Sequence, residues 1–134
     1  MIVHELADHA GVPAHVVRYY SRIGLLKPNR NPDNGYKLFR KNDLHRLRFI
    51  QQAKNLGFTL TEINRLIEDA EQGQSICPSV RHILEQRIQQ NQQAIKKLME
   101  LQKRMETALQ EWGQMPDGSP DSHSFCPLIE SELH

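Results

Sequence analysis

Aromatic residues make up only 6% of the 134 residues, and there are just two cysteines, Cys77 and Cys126, far apart in the chain. The first shortage argues against a thick globular core. Together with 38% hydrophobic and 25% charged residues, it suits an elongated helical protein. The second excludes a disulfide scaffold, and the separation excludes a zinc finger within one chain. No stretch approaches the roughly 18 apolar residues that a membrane span needs, and the N-terminus lacks the basic-then-apolar pattern of a secretory signal. The expectation is a soluble cytoplasmic protein with no membrane partner, built as one small domain with a helical extension.

The net charge of +1 says little as a total. Divided at Gly57, it separates into halves of opposite sign. Residues 1–57 hold ten Lys/Arg against four Asp/Glu, net +6, and residues 58–134 hold seven against twelve, net −5. The basic half is the natural partner of a polyanion.

The apolar residues Ile2, Val3, Leu6, Ala7 and Ala10 fall on one face of a short helix that Gly11 ends. Val12-Pro13 opens a second helix, Ala14 to about Ile23, after a tight turn, the spacing of a helix-turn-helix. Asn29 to Gly35 is crowded with turn formers, and Asn34-Gly35 before Tyr36-Lys37-Leu38-Phe39 reads as a short hairpin, a wing over about 29–39. Its alternation sets Tyr36 and Leu38 on one side, Lys37 and Phe39 on the other. Asn42 is placed to cap a helix from Asp43 to Asn55, with Leu44, Leu47, Phe49, Ile50 and Ala53 inward and Gly57 as its stop. Thr59-Leu60-Thr61-Glu62 is a capping-box pattern opening the next helix, along which Leu60, Ile63, Leu66, Ile67 and Ala70 recur. Residues 71–75 read as a linker.

From Pro78 the pattern changes. Leu84, Ile88, Asn91, Ile95, Leu98, Gln102, Met105, Leu109 and Trp112 alternate spacings of four and three. That is a heptad seam on a helix of roughly 33 residues and about 50 Å. No other segment is long enough to cover it, so a second copy must, and Asn91 and Gln102 are polar seam positions that fix register or orientation. Gly113 to Asp121 leaves the helix, Cys126-Pro127-Leu128-Ile129-Glu130 begins a terminal helical turn, and Leu128, Ile129 and Leu133 could pack back on the coil.

Val16-Val17-Arg18-Tyr19-Tyr20, Gly24-Leu25-Leu26, Asn34-Gly35-Tyr36-Lys37-Leu38-Phe39 and Leu56-Gly57-Phe58-Thr59-Leu60-Thr61-Glu62-Ile63, in this order and followed by a long seam helix, closely resemble the MerR family of bacterial transcription regulators. The likeness covers nearly the whole chain and is closest to the zinc-, cadmium- and lead-type branch. It implies a mainly α fold: a winged helix-turn-helix DNA-binding domain over 1–75, an antiparallel coiled-coil dimerisation helix over 76–112, and an effector-binding loop with a terminal helical turn over 113–134. It also implies a homodimer on double-stranded promoter DNA, acting with RNA polymerase by distorting the spacer.

The residue chemistry agrees with a DNA-binding head. Ala14 and His15 are small or polar at the first turn of a recognition helix, and Arg18 carries a planar fork suited to phosphate or guanine. Tyr36 and Lys37 read as backbone clamps in the wing, although family members commonly carry Arg where this chain has Lys37. Of Tyr19 and Tyr20, one hydroxyl meets phosphate while the other ring packs in the core, and the resemblance assigns the phosphate role to Tyr19.

In an antiparallel pair of long helices the start of one lies beside the end of the other, so Cys77 approaches the partner's loop that carries Cys126. A helix N-terminus favours a thiolate at Cys77. By resemblance, Cys77 matches the cysteine that zinc, cadmium, lead or mercury members contribute from the partner subunit, and Cys126-Pro127-Leu128-Ile129-Glu130 matches the end of their metal loop. Where those members carry a further cysteine at the end of the long helix, this chain has Trp112-Gly113. The ligand set is then Cys77, Cys126 and His123, with Asp121 or His82 as further donors, and the expected effector is a divalent ion of the zinc or cadmium type. The alternative trigger is thiol oxidation or attack by an electrophile. An enzyme using either cysteine with His82 or His123 as base lacks a plausible pocket, and a protein-binding adaptor would not bind DNA at all.

Overall fold

The computed structural model describes residues 1–132 and separates into two compact units, Met1–Cys77 and the remainder from Pro78. Leu133, one of the residues expected to pack on the coil, lies outside the described residues. In the first unit, which we call the head, α1 (Val3–Ala10) and α2 (Ala14–Arg22) form a helix-turn-helix. Gly11 makes the turn in the left-handed conformation with φ +70°, which a side chain would strain. α1 packs on α2 and on α3 (Lys41–Asn55), and α3 on α4 (Leu60–Glu71). Between them Leu6, Val17, Leu25, Leu26, Leu47, Ile50 and Ile63 lose essentially all solvent contact. Ile2 does not join this core: it is 42% exposed, because it precedes the first helical turn rather than lying on it.

The wing falls within the expected 29–39, with a connection of six residues. Strands β1 (Asn29–Arg30) and β2 (Lys37–Leu38) pair antiparallel, Asn29 with Leu38 and Arg30 with Lys37, so the connection spans residues 31–36. Asn31 organises it, its backbone N–H donating to the Tyr36 carbonyl and its own carbonyl accepting from Gly35, both at 2.8 Å. Its side-chain oxygen accepts from the Asp33 N–H at 2.8 Å. Asn34 accepts from the Tyr36 N–H at 2.9 Å. These side-chain turns divert the chain before Asn34-Gly35 can close a tight hairpin. The alternation holds, with Phe39 buried and Tyr36 and Leu38 exposed.

α3 begins two residues earlier than Asn42 suggests. Arg40 occupies the cap position in extended backbone, and Asp43 reaches back to accept its N–H at 2.8 Å. The reach-back half of a capping box can therefore stand without a capping side chain at its other end. α4 carries both halves: the Thr59 hydroxyl accepts from the Glu62 N–H at 3.1 Å, and the Glu62 carboxylate accepts from the Thr59 N–H at 2.8 Å.

The second unit is dominated by α5 (Cys77–Trp112), 36 residues of which none is buried. Its loop returns to α6 (Pro127–Glu130), and Gly118 lies so close to the Pro127 ring that an added Cβ would come within 2.5 Å of it. Among the described residues no helix is long and apolar enough to cross a membrane.

Candidate nucleic-acid interface and effector residues

α2 and the wing face one another across two open clefts. Arg18, Arg30, Lys37, Tyr36 and His4 line one of about 510 Å³. Arg18, Arg22, Lys27, Arg30 and Lys37 line the other, of about 660 Å³, and no carboxylate joins them. Each cation has a local reason to be there. Arg18 and Arg22 are one helical turn apart and share a face of α2. Arg30 and Lys37 are direct cross-strand partners, and like charges facing each other across a ladder destabilise it. A concentration of five cations in one cleft is electrostatically costly in isolation and favourable against a polyanion.

Of the residues singled out from sequence, Arg18, Tyr36 and Lys37 meet at these clefts, while Ala14 and His15 lie on the first turn of α2 outside their linings. Tyr19 is exposed, with the Arg22 guanidinium 5.5 Å from its ring centroid. Tyr20 is half-buried, and burial, then the neighbouring Tyr19, pushes its phenol above the usual value. The sequence reading missed Arg22, Lys27 and Arg30. The first was findable from its one-turn spacing to Arg18; Arg30 needed the strand register.

Arg46 ties three segments of the head together. Its Nε donates to the Leu25 carbonyl at 3.1 Å after α2, and its guanidinium pairs with Glu71 at the last turn of α4 at 2.7 Å. That hydrogen bond, then the charge of Arg46 and more weakly that of Lys27, holds the Glu71 carboxyl below its ordinary range.

The thiols are both free, Cys77 exposed at the start of α5 and Cys126 half-buried at the residue that caps α6. His123 is exposed in a turn where its N–H donates to the Asp121 carboxylate at 2.7 Å and the Asp121 N–H to the Ser124 carbonyl at 2.9 Å. Glu130 closes the turn by accepting from the Ser124 hydroxyl and, at 3.1 Å, from the Phe125 N–H. The Ser124 bond, then the Phe125 bond, lowers its carboxyl. Among the described residues no three His, Cys, Asp or Glu side chains converge as a metal site would require. Cys126, His123 and Asp121 therefore do not make a site within one chain. The Trp112 indole N–H, near this loop in sequence, is shielded from solvent without an acceptor.

A helix-turn-helix flanked by a two-stranded wing, with its cations gathered between them, defines a winged helix-turn-helix DNA-binding head. Comparison with known proteins carries this further. Residues 1–70 match the family described as MerR HTH family regulatory protein, and residues 44–108 the family described as MerR, DNA binding. The chain belongs to the MerR family: it is a DNA-binding transcription regulator and not an enzyme. It is 32% identical to the mercuric resistance operon regulatory protein of Bacillus cereus, over 95% of this chain and 92% of that one. The fold is similar to that of the regulator PbrR691 from Ralstonia metallidurans CH34, solved in complex with lead(II), with a TM-score of 0.76 at 24% identity over 98% of both chains. It is also similar to MerR from Bacillus megaterium MB1 in complex with mercury(II), with a TM-score of 0.51 at 30% identity over 93% of both chains.

Proposed function

We propose that the chain acts in the cytoplasm as a homodimer joined along α5, grips double-stranded promoter DNA through two heads, and serves RNA polymerase there. A divalent metal ion, held by Cys77 of one subunit with Cys126 of the other, switches it. The observation that carries the DNA reading is the acid-free cleft of Arg18, Arg22, Lys27, Arg30 and Lys37 between α2 and the wing. Phosphates entering it relieve the repulsion between Arg30 and Lys37, while Ala14, His15 and Arg18 on α2 face base edges and Tyr19, Tyr36 and Lys37 hold the backbone.

The metal reading rests on donor chemistry and on relatives. Thiolate sulfur with a borderline imidazole from His123 suits an ion of the zinc or cadmium type. Among the described residues a single chain supplies no converging set of three, and sharing between two subunits would complete the set. Two similar proteins are a mercuric resistance regulator and a regulator solved with mercury(II). When bound, the ion would cross-link the subunits and bias the geometry of the two heads on DNA, and Cys77 and Cys126 would supply the charge that holds it.

Titration of the reduced protein with Zn²⁺ or Cd²⁺ should protect both thiols from a thiol reagent. If no divalent ion protects either thiol, the metal reading fails and thiol oxidation takes its place. On promoter DNA, Arg30→Ala and Lys37→Ala should each weaken binding and reduce the slope of log K against log salt by about 1. An unchanged slope for both would remove the cleft from the interface.

A further inference from the structure

We propose that the two copies of α5 pair antiparallel in one particular register, with Asn91 set against the partner's Gln102 and the two-fold axis passing between Ile95 and Leu98. This rests on the homodimer reading and goes beyond it by fixing which residues meet. The apolar stripe is exposed from Ile88 at 53% to Leu109 at 71%, with Leu84 at its start half-buried, so it is available to a second copy.

The spacing of the stripe is its own mirror image. Counted forward from Leu84 or backward from Leu109, the steps are four, three, four, three, four, three, four. A two-fold axis across the helix therefore sets every seam position on a seam position: Leu84 on the partner's Leu109 at the outside, Ile95 on the partner's Leu98 at the centre. The same operation brings the two polar seam residues together. Asn91 meets the partner's Gln102, and by symmetry Gln102 meets the partner's Asn91. The Gln102 amide N–H donates to Glu106 on its own helix at 2.9 Å, which leaves its carbonyl to accept from the partner's Asn91.

Registers that keep the spacing matched differ by whole heptads, a slide of about 10 Å. Sliding toward Trp112 puts Asn91 on the partner's Leu109 and Gln102 on the partner's Leu98, setting the Asn91 amide and the Gln102 carbonyl against hydrocarbon with no partner across the seam. Sliding the other way shortens the matched seam and puts Leu84 on the partner's Gln102. The favoured register brings Glu85 near the partner's Glu106; both are exposed, where solvent and salt screen the repulsion, and this weighs less than stranded amides.

Cysteine cross-linking in the full chain carrying Cys77→Ser and Cys126→Ser tests this. Asn91→Cys with Gln102→Cys should give a covalent dimer under mild diamide oxidation on a non-reducing gel. The two positions are about 16 Å apart along one helix, beyond the reach of an intrachain disulfide. Leu84→Cys with Gln102→Cys and Asn91→Cys with Leu109→Cys, which report the neighbouring registers, should stay largely monomeric on the same gel. Asn91→Cys alone should do the same, since only a parallel pair would join it to itself. If either rival pair cross-links as fully as the first, or the first fails in a chain whose mass in solution is that of a dimer, the register is wrong. A monomeric mass for the reduced parent chain would overturn the homodimer reading as well.

Discussion

The head and α5 use their apolar residues in opposite ways. In the head Leu6, Leu47, Ile50 and Ile63 are sealed inside one chain, each such side chain contributing about 1.5–3 kcal/mol by leaving water. In α5 Ile95, Leu98, Met105 and Leu109 stand more than half exposed and contribute nothing until something covers them. In proteins most helical stability comes from packing an apolar face rather than from propensity. The head's stability is thus a property of one chain, and in the proposed dimer that of α5 depends on concentration.

The largest expected effects separate the two. Leu47→Ala should cost the head about 2–5 kcal/mol, a large share of the roughly 5–15 kcal/mol that holds a domain together, read as a lower urea midpoint. Leu98→Glu should leave the head's midpoint in place and convert the proposed dimer to a monomer in sedimentation. A head that unfolds with Leu98→Glu would show that the two regions are not independent.

What could be read from the chain follows the same division. Periodic apolar residues and glycine stops located the helices from α1 to α5, and the Thr59 and Glu62 pair located the start of α4, because these signals act within one turn. The α3 cap was misread at Asn42, since the bond from Asp43 to the backbone of Arg40 leaves no capping residue to see. The wing was legible over about 29–39, but the bonds by which Asn31 and Asn34 shape its connection were not. In the interface, Arg18, Tyr36 and Lys37 were visible as types, but the pairing of Arg30 with Lys37 exists only once β1 and β2 are in register. The convergence of Lys27, Arg46 and Glu71 depends on three elements distant in sequence, and nothing local announces it.

Arg46 sharpens the comparison, because it gives the head a polar tie that joins three segments of one chain. Its side chain is 10% exposed, with the Leu25 carbonyl and Glu71 as partners. Arg46→Met keeps much of the packing and removes both bonds, and should cost about 1–3 kcal/mol. The pH dependence has a defined sign. The Glu71 carboxyl is lowered in the folded chain, so its contribution is present above the unfolded value of about 4.3 and is lost as pH falls through the lower folded one. Glu71→Gln should flatten that part of the acid limb, and solvent at this exposed carboxylate keeps the change small. An unaltered acid limb would mean that the pair contributes nothing.

The smallest effects come from two helix caps, one in each unit. Thr59 caps α4 through its hydroxyl, whereas Cys126 caps α6 with no side-chain hydrogen bond. Thr59→Ala should therefore cost about 1 kcal/mol, seen as a lower urea midpoint of the head. Cys126→Ser replaces the thiol with a hydroxyl of similar size that can cap, and should stay within about 0.5 kcal/mol of the parent. The pair matters for function as much as for folding. If Cys126→Ser leaves stability intact and still abolishes the response to Zn²⁺ or Cd²⁺, the loss belongs to the chemistry of the sulfur. If it unfolds the loop, seen as rapid hydrogen exchange at the Phe125 amide that Glu130 now holds, then the residue is structural and the effector reading loses one of its two thiols.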